Sequence, residues 1–199
     1  MTLHSRTDPE LWGAALAGDE QAFGELFARH GRAIYNYCFR RTADWAAAED
    51  LASVVFLETW RRRRHVRMDE GSLLPWLYGV ATNVLRNHQR SLRRYGAALA
   101  RIPEPVHPEE DADLVAARLD DQRRMRGVLD RIGHLSRRDQ ELLSLCVWEE
   151  LTYAEAAAAL GIPVGTVRSR LSRIRARLKE PPPALGHKGV KSAFREELS

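Results

Sequence analysis

Arginine and hydroxyl side chains crowd one short stretch near the C-terminus: Thr166, Arg168, Ser169, Arg170, Ser172, Arg173, Arg175 and Arg177. A guanidinium offers a planar fork of donors that matches a guanine edge or a phosphate, and serine or threonine reaches either. A second set lies upstream. Asn83 and Asn87 stand four residues apart, so on a helix they share a face and can hydrogen-bond exposed base edges. Arg86, Arg90, Arg93 and Arg94 beside them can hold phosphates. A third set is acidic: Glu49, Asp50 and Glu58. No histidine or further carboxylate stands at ligand spacing from these three, so neither a metal site nor a metal-dependent nuclease is expected. The phosphate-cradling pattern GxxxxGK(S/T) is absent, and no catalytic residue or cofactor is expected. Cys38 and Cys146 lack CxxC or Cys/His spacing and read as buried thiols.

These side chains need rigid elements. Thr152 followed by Glu155 is a capping box, and the alanine-rich helix it opens lets a neighbour approach closely. Gly161 supplies a turn and Pro163 presets the start of a second helix, which makes a helix-turn-helix. In that second helix Val167, Leu171, Ile174 and Leu178 form the inward stripe, leaving the arginines and hydroxyls outside. Duplex DNA binding in the major groove follows.

Almost all of the rest also reads as helix, with alanine and leucine plentiful and apolar residues recurring at three- and four-residue spacing. Asp8-Pro9-Glu10 starts a helix carrying Leu11, Trp12, Ala15 and Leu16; after Gly18-Asp19, Ala22, Phe23, Leu26 and Phe27 lead to Ile34, Tyr35, Cys38 and Phe39. Asp44 caps a third helix, Val66 to Gly71 is a loop, and Ser72 caps a long helix with Pro75 in its first turn. From Tyr95 to about Ala112 prolines and acids, Glu104 to Asp113 among them, replace the apolar pattern, which marks a linker. Helices then follow at Asp113 to Arg131, Ser136 to Val147, Thr152 to Leu160 and Val164 to Lys179, and Pro181-Pro182-Pro183 stops the last. The expected fold is all-α: two small helical domains, 8–94 and 113–180, on a flexible linker 95–112, with a flexible tail 181–199.

The chain has 199 residues, 44% hydrophobic and 29% charged, which is the composition of a soluble globular protein. Its net charge is only +4, but basic residues bunch at Arg61 to Arg64, Arg86 to Arg94 and Arg168 to Lys179, the footprint of a phosphate-backbone binder. No apolar run is long enough to cross a bilayer, and Met1 to Glu10 has no secretory pattern, so a cytoplasmic protein is expected.

Three further segments decide among DNA binders. The stretches Gly18 to Phe27, Ala48 to Arg61 and Pro75 to Arg90 closely resemble region 2 of extracytoplasmic-function sigma factors, and Leu135 to Leu143 with the helix-turn-helix after it resembles their region 4. The resemblance spans about residues 8 to 180 and keeps the order and spacing of the motifs. It implies that the chain directs core RNA polymerase to promoters, reading a −35 element as duplex and a −10 element as a melted strand, with melting driven by trapping unpaired bases. It implies that Thr166, Arg168, Ser169, Ser172 and Arg173 bind the −35 duplex, and that Asn83, Arg86, Asn87 and Arg90 bind the −10 single strand. Asp50, Leu51, Leu57, Glu58 and Arg61 would dock on the polymerase, whose largest-subunit clamp helices and flap are the implied partners. The loop around Arg67 to Gly71 corresponds to a flipped-base pocket, and the acidic linker would occupy the polymerase's RNA or template channel. The family usually has Gln-Glu where this chain has Ser53-Val54, so docking here is expected to lean more on apolar contact. An anti-sigma partner is common in the family, but no residue of this sequence identifies one. Trp76 and Tyr78 could stack on bases, although core packing is the more ordinary fate of such aromatics. The rival readings are a regulator that binds duplex DNA alone, a nuclease, and an interaction module; run-off transcription with core polymerase separates them.

Overall fold

Short polar caps decide where each helix begins. In the computed structural model, which describes residues 6–66, 71–96 and 112–179, α1 (Asp8–Leu16) opens under a capping box: the Glu10 amide donates to Thr7 Oγ1 and the Thr7 amide to the Glu10 carboxylate. The cap therefore sits one residue before the Asp8-Pro9-Glu10 start expected from sequence. Asp19 caps α2 (Glu20–Thr42) and Asp44 caps α3 (Trp45–Arg62), each accepting the amide three residues on. A 3₁₀ turn at Arg63–His65 follows, then α4 (Leu74–Gly96). The second group comprises α5 (Ala112–Ile132), α6 (Arg137–Leu143) capped by Ser136, a π-helical turn at Ser144–Trp148, α7 (Tyr153–Leu160) and α8 (Val164–Lys179). The described residues contain helices and no strand, so the fold is all-α. Most of the loop expected at Val66–Gly71, nearly all of the acidic stretch Glu104–Asp113, and the tail 181–199 lie outside the described residues.

Leu11, Trp12, Leu26, Ile34, Tyr37, Val55 and Leu77 fill the space among α1 to α4, and Tyr37 Oη meets Thr82 Oγ1 at 2.8 Å, which satisfies both buried hydroxyls. Burial holds the Tyr37 phenol neutral, with its pKa pushed up to about 12 although Arg41 and the Thr82 contact pull the other way. The inward stripes are narrower than the sequence implies. Leu16, Phe27, Val54 and Leu178 are exposed, Phe27 although its ring lies 4.8 Å from that of Phe56 on α3. Cys38 is buried as expected, but Cys146 is half-buried, and both are free thiols. The two helical groups, expected as modules on a linker, also lie directly against each other. α7 packs on α4, and the apolar interior continues from one group into the other.

The start of α4 is held from a distance. Ser72 Oγ accepts the Leu74 amide at 3.1 Å, but the Leu73 amide donates to Asp8 Oδ2 at 2.8 Å, so the expected Ser72 cap is shared with a residue 65 positions away. The same buried carboxylate accepts from Ser72 Oγ (3.1 Å), lies 2.7 Å from His30 Nε2 and is paired with Arg29. Burial alone would raise the Asp8 pKa; the Leu73 amide, Arg29 and His30 more than offset it and hold it below the ordinary carboxylate range. A depressed folded-state pKa adds stability above the unfolded value of about 3.9 that is lost as pH falls through the folded value. Asp8→Asn is therefore expected to cost roughly 1–3 kcal/mol near neutrality and to flatten the acid limb of stability below about pH 4. Urea denaturation of both proteins across that range checks it; parallel acid limbs would remove Asp8 as the cause.

Candidate nucleic-acid interface

The helix-turn-helix is built from local bonds. Thr152 Oγ1 accepts the Glu155 amide at 3.3 Å while the Thr152 amide donates to Glu155 Oε2 at 2.8 Å. Gly161 ends α7 in the left-handed region at φ 64°, which lets its amide reach the last carbonyls of the helix. The Thr166 and Val167 amides then donate to the Pro163 carbonyl, starting α8. Val167, Leu171 and Ile174 are buried against the other helices, and Arg168, Ser169, Ser172, Arg173, Arg175 and Arg177 face solvent, with Thr166 half-exposed. Ser169 Oγ donates to the Thr166 carbonyl and Arg173 Nε to the Ser169 carbonyl. Arg170 departs from that outer face. It is half-buried and, with Arg86, Arg138 and Glu141, lines a small cleft of about 230 Å³ facing the first helical group.

On α4, Asn83 and Asn87 are both exposed, one turn apart, as their spacing predicted. Arg86 Nη1 donates to Asn83 Oδ1 at 3.3 Å and Arg90 donates to Asn87 Oδ1, so each amide is oriented by the arginine three residues on. Arg86 is also half-buried and doubly bonded to Glu141 of α6, Nε to Oε1 at 2.7 Å and Nη2 to Oε2 at 2.6 Å. This pairing raises the Arg86 pKa despite partial burial. Arg93 and Arg94 are exposed. Trp76 is half-buried beside Trp12, with ring centroids 6.3 Å apart. Tyr78 is buried and donates to Glu149 Oε2 at 2.7 Å, so it cannot stack on a base in this arrangement.

On α3, Asp50, Leu57 and Arg61 are exposed, and Glu58 is half-buried with Arg61 Nη1 at 3.3 Å and Arg62 Nε at 3.2 Å. Leu51 corrects the sequence reading: it is 6% exposed and belongs to the core. Its position in the stripe shared with Ala48 and Val55 turns it inward, whereas Val54 and Leu57 point out. A cleft of about 750 Å³ is lined by Val54 of α3, Trp76, Val80, Asn83, Asn87 and Arg94 of α4, and Ala158 and Ala159 of α7. No group of His, Cys, Asp or Glu side chains among the described residues is arranged to hold a metal ion.

Sequence reasoning missed Glu141, Glu149, Arg40 and Gly79. Arg40 Nη1 bonds Glu149 Oε1 at 2.8 Å, and a Cβ at Gly79 would lie 2.7 Å from the Ala159 carbonyl oxygen. Only Gly79 carried a signal, being a glycine inside a strongly amphipathic helix where it costs stability unless a neighbour needs the space.

Two family descriptions match this chain: Sigma-70 region 2 over residues 26–95 and Sigma-70, region 4 over residues 125–178. The chain is 30% identical over 182 residues to the RNA polymerase sigma factor NccH of Alcaligenes xylosoxydans xylosoxydans, covering 86% of this chain and 95% of that one. It is 31% identical over 166 residues to the RNA polymerase sigma factor CarQ of Myxococcus xanthus, covering 82% and 90%. It is 28% identical over 175 residues to the ECF RNA polymerase sigma factor SigM of Mycobacterium tuberculosis, covering 88% and 84%. Among solved structures it is similar to CnrH, determined in complex with the cytosolic domain of CnrY, at TM-score 0.63 and 27% identity over 86% of this chain and 94% of that one.

Removing the α7 cap tests how far the helix-turn-helix depends on its own local bonds. Thr152→Ala should lower stability by about 1 kcal/mol while leaving helix content near neutrality unchanged; a thermal melt followed by circular dichroism that shows no shift would mean packing alone holds α7.

Proposed function

This chain belongs to the sigma-70 family of RNA polymerase sigma factors, in the extracytoplasmic-function group, and we propose how its surfaces divide the work of directing core polymerase to promoters. The N-terminal helices, residues 8–94, dock on polymerase through the α3 surface of Asp50, Leu57, Glu58 and Arg61, and hold the melted −10 strand on α4 through Asn83, Asn87, Arg86 and Arg90. The C-terminal helices, 113–180, bind the −35 duplex through Thr166, Arg168, Ser169, Ser172 and Arg173; residues 95–112 connect the two and 181–199 form a tail. The observation that carries this reading is the pair of differently built polar faces on one chain. Amides oriented by their own arginines on α4 suit unstacked base edges, and an exposed arginine–serine face on the second helix of a helix-turn-helix suits a major groove.

The exposed pair Val54 and Leu57 on α3 supports a docking surface that relies on apolar contact, with Leu51 acting from beneath as packing. Strand separation on this reading draws on captured bases rather than on nucleotide hydrolysis, so the chain acts without enzymatic activity of its own, in the cytoplasm. No described helix is long and apolar enough to cross a membrane. An inhibitory protein partner belongs to the reading, since CnrH was solved with CnrY and the similarly folded RpoE of Bartonella quintana with the anti-sigma factor NepR.

Run-off transcription with core polymerase on a genomic promoter library is the direct test. Promoter-dependent transcripts that require this chain are expected, and none across the library would overturn the reading. Arg173→Ala should weaken use of the preferred promoters by roughly 1–3 kcal/mol if its fork grips guanine, whereas a uniform loss on all sequences would assign it to phosphate. Asn83→Ala should leave affinity for core polymerase intact and reduce permanganate reactivity of −10 thymines; undiminished reactivity would refute its role.

A further inference from the structure

Arginine outnumbers its counter-charge in the small cleft that Arg170 enters. That cleft, about 230 Å³, is lined by Arg86, Arg138 and Arg170, by Leu160 and Ile162, and by the carboxylate of Glu141. Glu141 is already engaged. Its two oxygens accept from Nε and Nη2 of Arg86 at 2.7 and 2.6 Å, so the pair is neutral as a unit. Asp139 of α6 and Glu149 beyond it are engaged as well: Asp139 accepts the Ser136 hydroxyl at 2.7 Å, and Glu149 accepts from Arg40 and Tyr78. Arg138 and Arg170 form no hydrogen bond or ion pair with any described residue. Two guanidinium forks in the cleft therefore lack an anion.

More positive charge stands close by. Arg41 is 6% exposed, and its Nε and Nη1 have no hydrogen-bond partner among the described residues. Arg137, next to Arg138 in the chain, has its pKa lowered by burial and by the nearby charges of Arg93 and Arg41, which Glu141 offsets only in part. Cations withdrawn from water are costly unless an anion replaces their lost hydration. A cleft lined by one sign of charge also concentrates counter-ions from solution.

Charge and size narrow the chemistry of that anion. A single carboxylate answers one guanidinium, as Glu141 does for Arg86. A phosphoryl group carries about two negative charges near pH 7 and three acceptor oxygens, which suits two forks at once. The cleft holds several waters at about 30 Å³ each, yet it falls below the roughly 300–1,000 Å³ of sites that enclose a drug-sized ligand. One or two phosphoryl groups fit it, and the rest of a larger ligand would lie outside. The backbone of a duplex is the wrong shape, because Arg170 is half-buried and turned away from the outer face of Arg168, Ser169, Ser172 and Arg173.

We propose that this cleft is a binding site for a small phosphate-bearing anion, with Arg138 and Arg170 as its donors and Leu160 and Ile162 as its apolar wall. The shared chemistry is a phosphoryl or diphosphoryl group, either free or at the end of a nucleotide. Arg86 serves by neutralising Glu141, which leaves the other two forks to the ligand. The site stands apart from the α8 surface assigned to promoter duplex, so it does not depend on that assignment.

Isothermal titration of the full chain in phosphate-free chloride buffer tests this, with inorganic phosphate, pyrophosphate and ATP as separate probes. Saturable one-to-one binding of at least one probe is expected. Arg138→Ala and Arg170→Ala should each weaken it by roughly tenfold. Arg138 is exposed and bonds to no described residue, so its removal leaves the fold intact, which circular dichroism verifies. Arg177→Ala, an exposed position on α8 outside the cleft, should leave the affinity unchanged. Phosphate bound as tightly as pyrophosphate assigns a single phosphoryl group; tighter pyrophosphate assigns a diphosphate; ATP tighter than both assigns a nucleotide. No saturable binding of any probe overturns the site. So does full affinity in both cleft variants, or an equal loss in Arg177→Ala, which would mark general attraction of anions to a basic helix.

Discussion

One helix, α4, has to satisfy incompatible demands, and the circumference it offers is what the rest of the molecule is arranged around. Leu77, Ala81, Val84 and Leu85 fill the core of the first helical group, Gly79 admits the backbone of α7, and Asn83 and Asn87 stay in solvent. A turn of α-helix every 3.6 residues is what separates these faces. The same geometry explains why Arg86, between the apolar stripe and the asparagines, is the residue that meets Glu141. Its neighbours leave it half-covered, close enough to the second group to be paired and close enough to the outer face to orient Asn83.

Buried carboxylates are the second organising element. Asp8, Glu141 and Glu149 are each withdrawn from water, and each is met by donors on other segments of the chain. Withdrawing a carboxylate from water is costly unless donors replace the lost hydration. Asp8 ties the first helix to the start of α4, and Glu141 and Glu149 tie the C-terminal helices to its middle. A cap supplied by Asp8 fixes the direction in which α4 leaves the loop before it. The face carrying Asn83 and Asn87 is therefore set by a residue near the other end of the helical group.

The apolar surface tells a related story on α3. Val54 and Leu57 remain exposed although Leu51, Val55 and Phe56 on the same helix are buried. Exposed aliphatic side chains on a helix whose opposite face is a packed core are what a docking surface with few charged contacts would present. The salt bridges from Glu58 to Arg61 and Arg62 run along the helix, not across it, so they shape the edge of that surface and contribute little to stability.

Helix positions, the caps at Asp44 and Thr152, the turn at Gly161 and the outward arginines of α8 were legible in the sequence because each depends on residues three or four apart. So was the asparagine pair of α4. Leu51, given to docking by the family resemblance, lies in the core because it shares the inward stripe of α3 with Ala48 and Val55. The Asp8 cap on α4, the pairing of Arg86 with Glu141, the burial of Tyr78 beneath Glu149 and the approach at Gly79 join positions far apart in the chain. Local spacing holds no record of such contacts. They exist once the helices have packed, when burial has made an unpaired charge expensive enough to demand its partner.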